Sequence, residues 1–316
     1  MSTLTFFCRR MESKDLAVGV IFILQCSMGI LRHFTLLSYY LMLHYNKHTL
    51  KPIDLILMNM FIANFLLIFS KSVLQTVEIF GMELFFNVFV CKFLLYIERV
   101  GRSVSVATIC LLSVFQAITI SPRNSCLNGL KVKVPKYINL SIFFCWPLYF
   151  VINMILPVYG CIKWNSNNMT YKRSVKYCFS IGHDELTSSI FTILFVFPEV
   201  FLAILIVLSG SSMVVILYRH KQQVQHIYCN YACTRTSPES RATKSIVVLV
   251  SVFICFYSVS SILYGCIALF CDDSWWLINI AHIISLCFPI FGSFLVSHNP
   301  ALSRFSLSWI KNTRRV

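Results

Sequence analysis

Long apolar stretches separated by short polar ones run the length of the chain. Seven of them are long enough to cross a bilayer as helices, at about 16–44, 52–77, 89–120, 137–160, 187–218, 245–270 and 275–297. A crossing helix needs about 20 mostly apolar residues to span roughly 30 Å of hydrocarbon. The fourth and sixth are the cleanest, with no charge from Tyr137 to Ile162 or from Ile246 to Phe270. The pattern predicts an all-α membrane protein, a seven-transmembrane helix bundle forming one domain over residues 1–316. The polar connections are too short for a separate soluble domain. No internal repeat with matching broken helices appears, as a secondary transporter would show.

Composition agrees. Of the 316 residues, 57% are apolar and 12% charged, against about 25% charged in a soluble domain. The net charge of +15 does not point to nucleic acid, because the bases are scattered over short connections instead of forming one basic domain. Their distribution predicts orientation. The segments near 45–51, 121–136 and 219–244 and the tail 298–316 hold fifteen Lys/Arg and one acid, Glu239. The N-terminus and the segments near 78–88, 161–186 and 271–274 hold seven Lys/Arg and eight acids. The positive set is expected in the cytoplasm, which places the N-terminus outside. The first residues lack the apolar core of a cleavable signal, so the first span is expected to act as the anchor.

Charges inside the spans narrow the reading further. Arg32, Lys71, Lys92, Glu98, Arg99, Arg102 and Glu199 fall within apolar runs, where ionised groups face the bundle interior and find partners. Lys71 and Lys92 lie near outer ends and are read as snorkelling to the interface. Glu98 and Arg102 share a helical face and can pair at i, i+4. Arg102 lies roughly 16 Å below Cys91, and Glu199 roughly 18 Å below the start of span five, at 1.5 Å per residue. Arg99 or Arg102 can therefore meet Glu199, either as a lock between helices or as the polar floor of a ligand site. Pro147, Pro157, Pro198 and Pro289 sit within spans and kink them.

On the outer side, Cys91 and Cys178 can form a disulfide in an oxidising compartment; Cys8, Cys161 and Cys271 compete for the same role. Asn168-Met169-Thr170 is an N-glycosylation sequon on the outer side. Asn139-Leu140-Ser141 also matches but falls at a cytoplasmic span end. The inner segments carry Arg123, Lys131, Lys133, Lys136, Arg219, Lys221, Arg241 and Lys244. These set topology and attract anionic lipid, or form a docking surface for a cytoplasmic partner. Cys229, Cys233 and His226 are too loosely spaced to predict a metal site. No Gly-x-Ser-x-Gly, His-Glu-x-x-His or phosphate-binding glycine loop is present, so neither an enzyme nor a cofactor is expected. A pore's filter loop or charged ring is not evident.

Several strings resemble the vomeronasal type-1 receptors among the G-protein-coupled receptors. They are Gly101-Arg102-Ser103-Val104-Ser105 and the run Cys110 to Arg123, then Lys131 to Tyr137, Tyr218 to His226, and Ser237-Pro238-Glu239-Ser240-Arg241-Ala242-Thr243. Ser274-Trp275-Trp276-Leu277 and Cys287-Phe288-Pro289 continue the resemblance, which covers nearly the whole chain. It implies a rhodopsin-like plasma-membrane receptor for a small-molecule pheromone, signalling through a heterotrimeric G protein of the inhibitory class. It also implies the Cys91–Cys178 bridge and a glycan on Asn168. Phe115-Gln116-Ala117 occupies the place of the Asp-Arg-Tyr of larger rhodopsin-like groups.

On that reading, the ligand-lining candidates are Lys92, Glu98, Arg99, Arg102, Phe197, Glu199, Phe256 and Tyr257. The G-protein-facing candidates are Arg123, Lys131, Lys133, Arg219, Lys221, Arg241 and Lys244. Four places depart from the family's usual pattern: Arg32-His33 for Gly-Asn, Glu98 for His, Ser297-His298-Asn299-Pro300 for Ser-Arg-Asp-Pro, and the lost sequon at Asn165-Ser166-Asn167. Arg32 calls for a partner such as Asp54 or a lipid phosphate. A small transporter or channel, and a non-signalling relic receptor, are the alternative functions.

Overall fold

The computed structural model describes residues 13–45, 51–80, 88–121, 128–154, 197–227, 238–270 and 275–298. These form helices α1 (Ser13–Tyr45), α2 (Pro52–Phe80), α3 (Val88–Ile120), α4 (Asn128–Asn153), α5 (Phe197–Ile227), α6 (Pro238–Phe270) and α7 (Trp275–His298). Proline opens α2 and α6, where its fixed φ suits the first helical residue and its missing N–H costs nothing. In α2, Asp54 sits in the first turn and its carboxylate accepts a hydrogen bond from the Lys51 backbone N–H at 3.1 Å, close to the positive end of the helix dipole.

Among the described residues, six of the helices are long and apolar enough to cross a membrane. The fourth expected span, 137–160, lies only partly within the described residues, which end there at Met154. The exterior of α4 is apolar, with Phe143, Phe144, Leu148 and Val151 exposed.

The helices also extend beyond their apolar runs. α4 begins at Asn128, α5 runs to Ile227 and α6 starts at Pro238. Lys131, Lys133, Arg219, Lys221, Arg241 and Lys244 therefore stand on helical turns and not in loops. Hydropathy ends at the edge of the lipid, but a helix continues into water wherever its residues are good helix formers.

α3 runs through the middle and touches α2, α4, α5 and α6, while α1 closes against α2 and α7. The exterior is lined with Leu24, Leu31, Phe34, Phe201, Ile204 and Leu208, all exposed, as a lipid-facing surface requires. Lipid supplies no hydrophobic force between helices, so close packing and interhelical hydrogen bonds hold them together. Both are visible at α2. The Trp146 indole donates to Asn59 Oδ1 at 2.9 Å, and Ser105 donates to Asn64 Oδ1 at 2.7 Å.

A large apolar cluster, including Tyr40, Phe61, Ile109, Leu112, Ile206, Met213, Ile246 and Phe253, fills the half that the charge bias is expected to place inside, called the inner half below. The outer half carries the polar seams described below.

Arg32 does not reach Asp54. It lies about 20 Å above the inner end of α1 by helical rise, whereas Asp54 is at the inner start of α2. Its guanidinium sits 5.0 Å from the centre of the Phe294 ring on α7, a cation–π contact. His33 is buried, with Nδ1 2.9 Å from the Gly29 carbonyl and its ring edge-on to Phe61.

α3 approaches the α2 backbone closely at Gly101. A Cβ there would come 2.8 Å from the Ala63 carbonyl oxygen and 3.0 Å from Leu67 N, both backbone atoms that cannot yield. At Gly210 the nearest atom is a side-chain carbon at 3.5 Å. Gly101→Val must push α2 from α3, and overpacking of this kind costs about 1–3 kcal/mol. The expected outcome is a marked fall in surface labelling and in the melting temperature of the solubilised protein. Gly210→Ala should leave both unchanged, and equal tolerance at the two positions would contradict the described α2–α3 contact.

Candidate functional site

Burying a charge in the bilayer interior costs about 2.5–3.5 kcal/mol even on insertion scales, so the span charges organise their surroundings. Two ion pairs form. Lys71 Nζ lies 3.7 Å from Glu98 Oε1 across the α2–α3 seam, and it also donates to the Ser285 hydroxyl on α7. Its side chain is 2% exposed, so Lys71 does not snorkel to the interface. A lysine inside a ring of helices gains more from a carboxylate and a hydroxyl than from stretching toward water it cannot reach. Lys92, nearer the outer end, is half-buried.

The second pair joins Arg99 Nη2 to Glu199 Oε1 at 3.5 Å, linking α3 to α5. Of the two arginines that depth matching offered to Glu199, Arg99 lies within 3.5 Å of it. Glu199 Oε2 accepts a hydrogen bond from the Tyr257 hydroxyl of α6 at 2.7 Å, so three helices meet on one carboxylate. Below Tyr257, its ring stacks on Phe253 at 5.3 Å, and Phe253 packs edge-on against Phe288 of α7 at 4.8 Å. The outer ionic layer is thereby continuous with the aromatic top of the inner core.

Between the two pairs lies a small cleft. α3 contributes Arg102, Ser105 and Val106, and α6 contributes Phe253, Phe256, Tyr257 and Ser260. α2 adds Leu67, and α7 adds Ser285, Phe288 and Pro289. Arg102 lies about 21 Å below the start of α3 by helical rise, so the cleft is at mid-depth, at the floor of the outer half.

Of the ligand-lining candidates, Arg102, Phe256 and Tyr257 face this cleft. Arg99 and Glu199 stand behind it, joined through Tyr257, and Glu98 stands behind it toward α2. Phe197, at the start of α5, is 69% exposed and points away from the bundle. Ser105, Ser260 and Ser285 were missed because small hydroxyl residues in a span give no signal by themselves. The Lys71–Glu98 pair was within reach of depth matching. Lys71 is about 14 Å below the outer end of α2, and Glu98 about 15 Å below that of α3.

Cys91 is buried and disulfide-bonded. The other cysteines among the described residues carry free thiols. Cys178, Asn168 and Arg123 lie outside the described residues, as do the side chains of Lys131, Lys221, Arg241 and Lys244. Lys133 and Arg219 are exposed.

If the Arg99–Glu199 pair contributes to stability, its two charges are coupled. Glu199→Gln and Arg99→Met are each expected to lower the melting temperature, and the double variant to lose less than the sum. A coupling of about 1 kcal/mol matches interhelical polar pairs in membranes. Strict additivity in this double-mutant cycle would show that the contact contributes nothing.

Comparison with known proteins agrees with this arrangement. A search of solved structures finds squid rhodopsin, with a TM-score of 0.65 at 15% identity over 93% of this chain and 80% of that one. At that identity the likeness is one of fold, a rhodopsin-like seven-helix bundle. Human vomeronasal type-1 receptor 2 is 44% identical over 92% of this chain and 74% of its own length. Human vomeronasal type-1 receptor 4 is 40% identical over 95% of this chain and 99% of its own. Residues 16–308 match the vomeronasal organ pheromone receptor family as a whole. The chain is a multi-pass membrane protein and belongs to the vomeronasal organ pheromone receptor family, the type-1 vomeronasal receptors.

Proposed function

We propose that the protein is a chemosensory G-protein-coupled receptor of the plasma membrane, with its N-terminus outside. A small molecule enters from the outer face, settles in the mid-bundle cleft and shifts the balance between two helix arrangements by binding one better than the other. The observation that carries this reading is a receptor-family bundle with a cleft where α2, α3, α6 and α7 converge, linked by stacked aromatics to the inner core.

The inner ends of α3, α5 and α6 then present the docking face for a heterotrimeric G protein of the inhibitory class. Arg123, Lys131, Lys133, Arg219, Lys221, Arg241 and Lys244 supply its positive charge and also hold anionic lipid. The chemistry is recognition and conformational coupling, not catalysis. A Cys91–Cys178 bridge holds the second outer loop over the bundle mouth, and Asn168 carries a glycan. Arg32 has a seat over Phe294, which supports a folded receptor over a relic.

Cells expressing the chain are expected to activate G protein when exposed to fractionated animal secretions, and a blocker of the inhibitory class should abolish the response. Surface-expressed receptor that stays silent across all fractions would contradict the proposal. Cys178→Ser should reduce surface receptor and response together, since loss of a native disulfide typically costs about 2–5 kcal/mol. Glycosidase treatment should speed the gel migration of the wild-type protein and leave that of Asn168→Gln unchanged.

A further inference from the structure

The cleft as described is too small for the molecule that the receptor reading brings to it. Its volume is about 30 Å³, room for about two waters. Pockets for small organic ligands run to about 300–1,000 Å³. A wall has to move before anything much larger than water enters. The walls from α2, α3 and α6 are pinned to one another. α3 lies against the α2 backbone at Gly101, with no space for a Cβ. Glu199 ties α3 to α6, through Arg99 on one side and Tyr257 on the other.

That leaves α7, which changes character at Pro289. At and below the proline its side chains interlock with neighbouring helices. Phe288 packs edge-on against Phe253 at 4.8 Å, and Phe291 stacks on Phe256 at 6.1 Å. A Cβ on Gly29 would meet Ile290 at 3.0 Å. Toward the outer end, Ile283 and Leu286 join a small apolar cluster with α1 and α2, and the other ties are side-chain hydrogen bonds. Lys71 donates to the Ser285 hydroxyl. Gln75 donates to Asn279 Oδ1 at 3.5 Å, which is long for a hydrogen bond. Gln25 donates to the Ile283 carbonyl at 3.2 Å, but its own Oε1 is buried with no hydrogen-bond partner. A tie that leaves an acceptor unsatisfied loses little when it breaks.

Hinge and tie coincide at one residue. Pro289 has no N–H to give the Ser285 carbonyl four residues earlier, and its ring crowds that carbonyl. The weakened turn of α7 is therefore 285–289. Ser285 is the residue that Lys71 grips, and it also lines the cleft. Lys71 faces Glu98 at 3.7 Å as well, so its hold on α7 is anchored on both α2 and α3.

We propose that Lys71 is the latch of a hinged wall: residues 275–285 of α7 turn about the 285–289 segment, away from α2, and so open the cleft. Lys71 is a positioning residue on this account, acting through Ser285. The inference rests on the receptor reading for what enters the cleft, and the movement itself does not depend on it.

The test is double electron–electron resonance on the full-length chain in lipid nanodiscs, without any G protein. Spin-labelled unnatural amino acids leave the native cysteines untouched. One label pair replaces Phe93 on α3 and Ile280 on α7, and a control pair replaces Phe93 and Val200 on α5, all exposed positions. Lys71→Met should raise the population at the longer α3–α7 distance about threefold or more, a shift in balance between two arrangements. Lys71→Arg, which keeps charge and donors, should leave the wild-type distribution. Pro289→Ala returns the missing N–H and should suppress the longer distance when combined with Lys71→Met.

If Lys71→Met fails to fold, Lys71→Met with Glu98→Gln removes the latch and leaves neither charge of the pair alone. The proposal is overturned by unchanged α3–α7 distances in the latch variants, by equal widening of the α3–α5 control pair, or by widening that persists with Pro289→Ala. Opening of α7 with no G-protein response to secretions would sustain this inference and sink the receptor proposal. A response with α7 fixed in every variant would do the reverse.

Discussion

Charge buried in a lipid-embedded bundle has to be neutralised locally, and much of the outer half of this protein follows from that constraint. Charged side chains at mid-depth would oppose insertion if each stood alone. Placed on facing helices, Lys71, Glu98, Arg99 and Glu199 form two ion pairs, 3.7 and 3.5 Å long, that tie α2 to α3 and α3 to α5. Each pair recruits a hydroxyl from a further helix, Ser285 of α7 and Tyr257 of α6. Every helix around the cleft is thus held by an interaction whose loss would leave a charge in hydrocarbon.

α3 is the element on which these contacts converge. Gly101 allows it to lie against the α2 backbone, and the residues on either side of that contact, Arg99 and Arg102, face α5 and the cleft. The close approach and the electrostatics support each other. A bulkier residue at 101 would separate the helices that Lys71 and Glu98 bridge, and without such bridges polar residues at this depth would oppose the packing. The inner half needs no comparable device, because interlocking apolar side chains fill it.

The geometry also suggests how occupancy of the cleft is felt below it. Tyr257 belongs at once to the Glu199 layer, to the cleft wall and to the aromatic stack with Phe253. Any rearrangement there meets Phe253, which packs against Phe288 one residue before Pro289. A proline inside α7 lacks the backbone N–H that would otherwise stiffen that turn. The cleft wall and the inner core are therefore joined through packed groups in direct contact.

Much of this was legible in the sequence. Seven apolar runs, the bias of Lys and Arg toward one set of ends, and charges at matching depths determined the bundle, its expected orientation and the meeting of Glu199 with an α3 arginine. These properties depend on local composition and on a fixed rise per residue, both of which a linear string carries. Three further features did not follow from the string. Lys71 turned inward, Arg99 came to face Glu199, and Arg32 settled on Phe294. Each was a choice among neighbours on other helices, set by the rotation of one helix against another. The same holds for the cleft, whose lining comes from four helices. Hydropathy fixes how deep a residue lies; helix rotation and packing fix what it faces, and only the assembled bundle determines that.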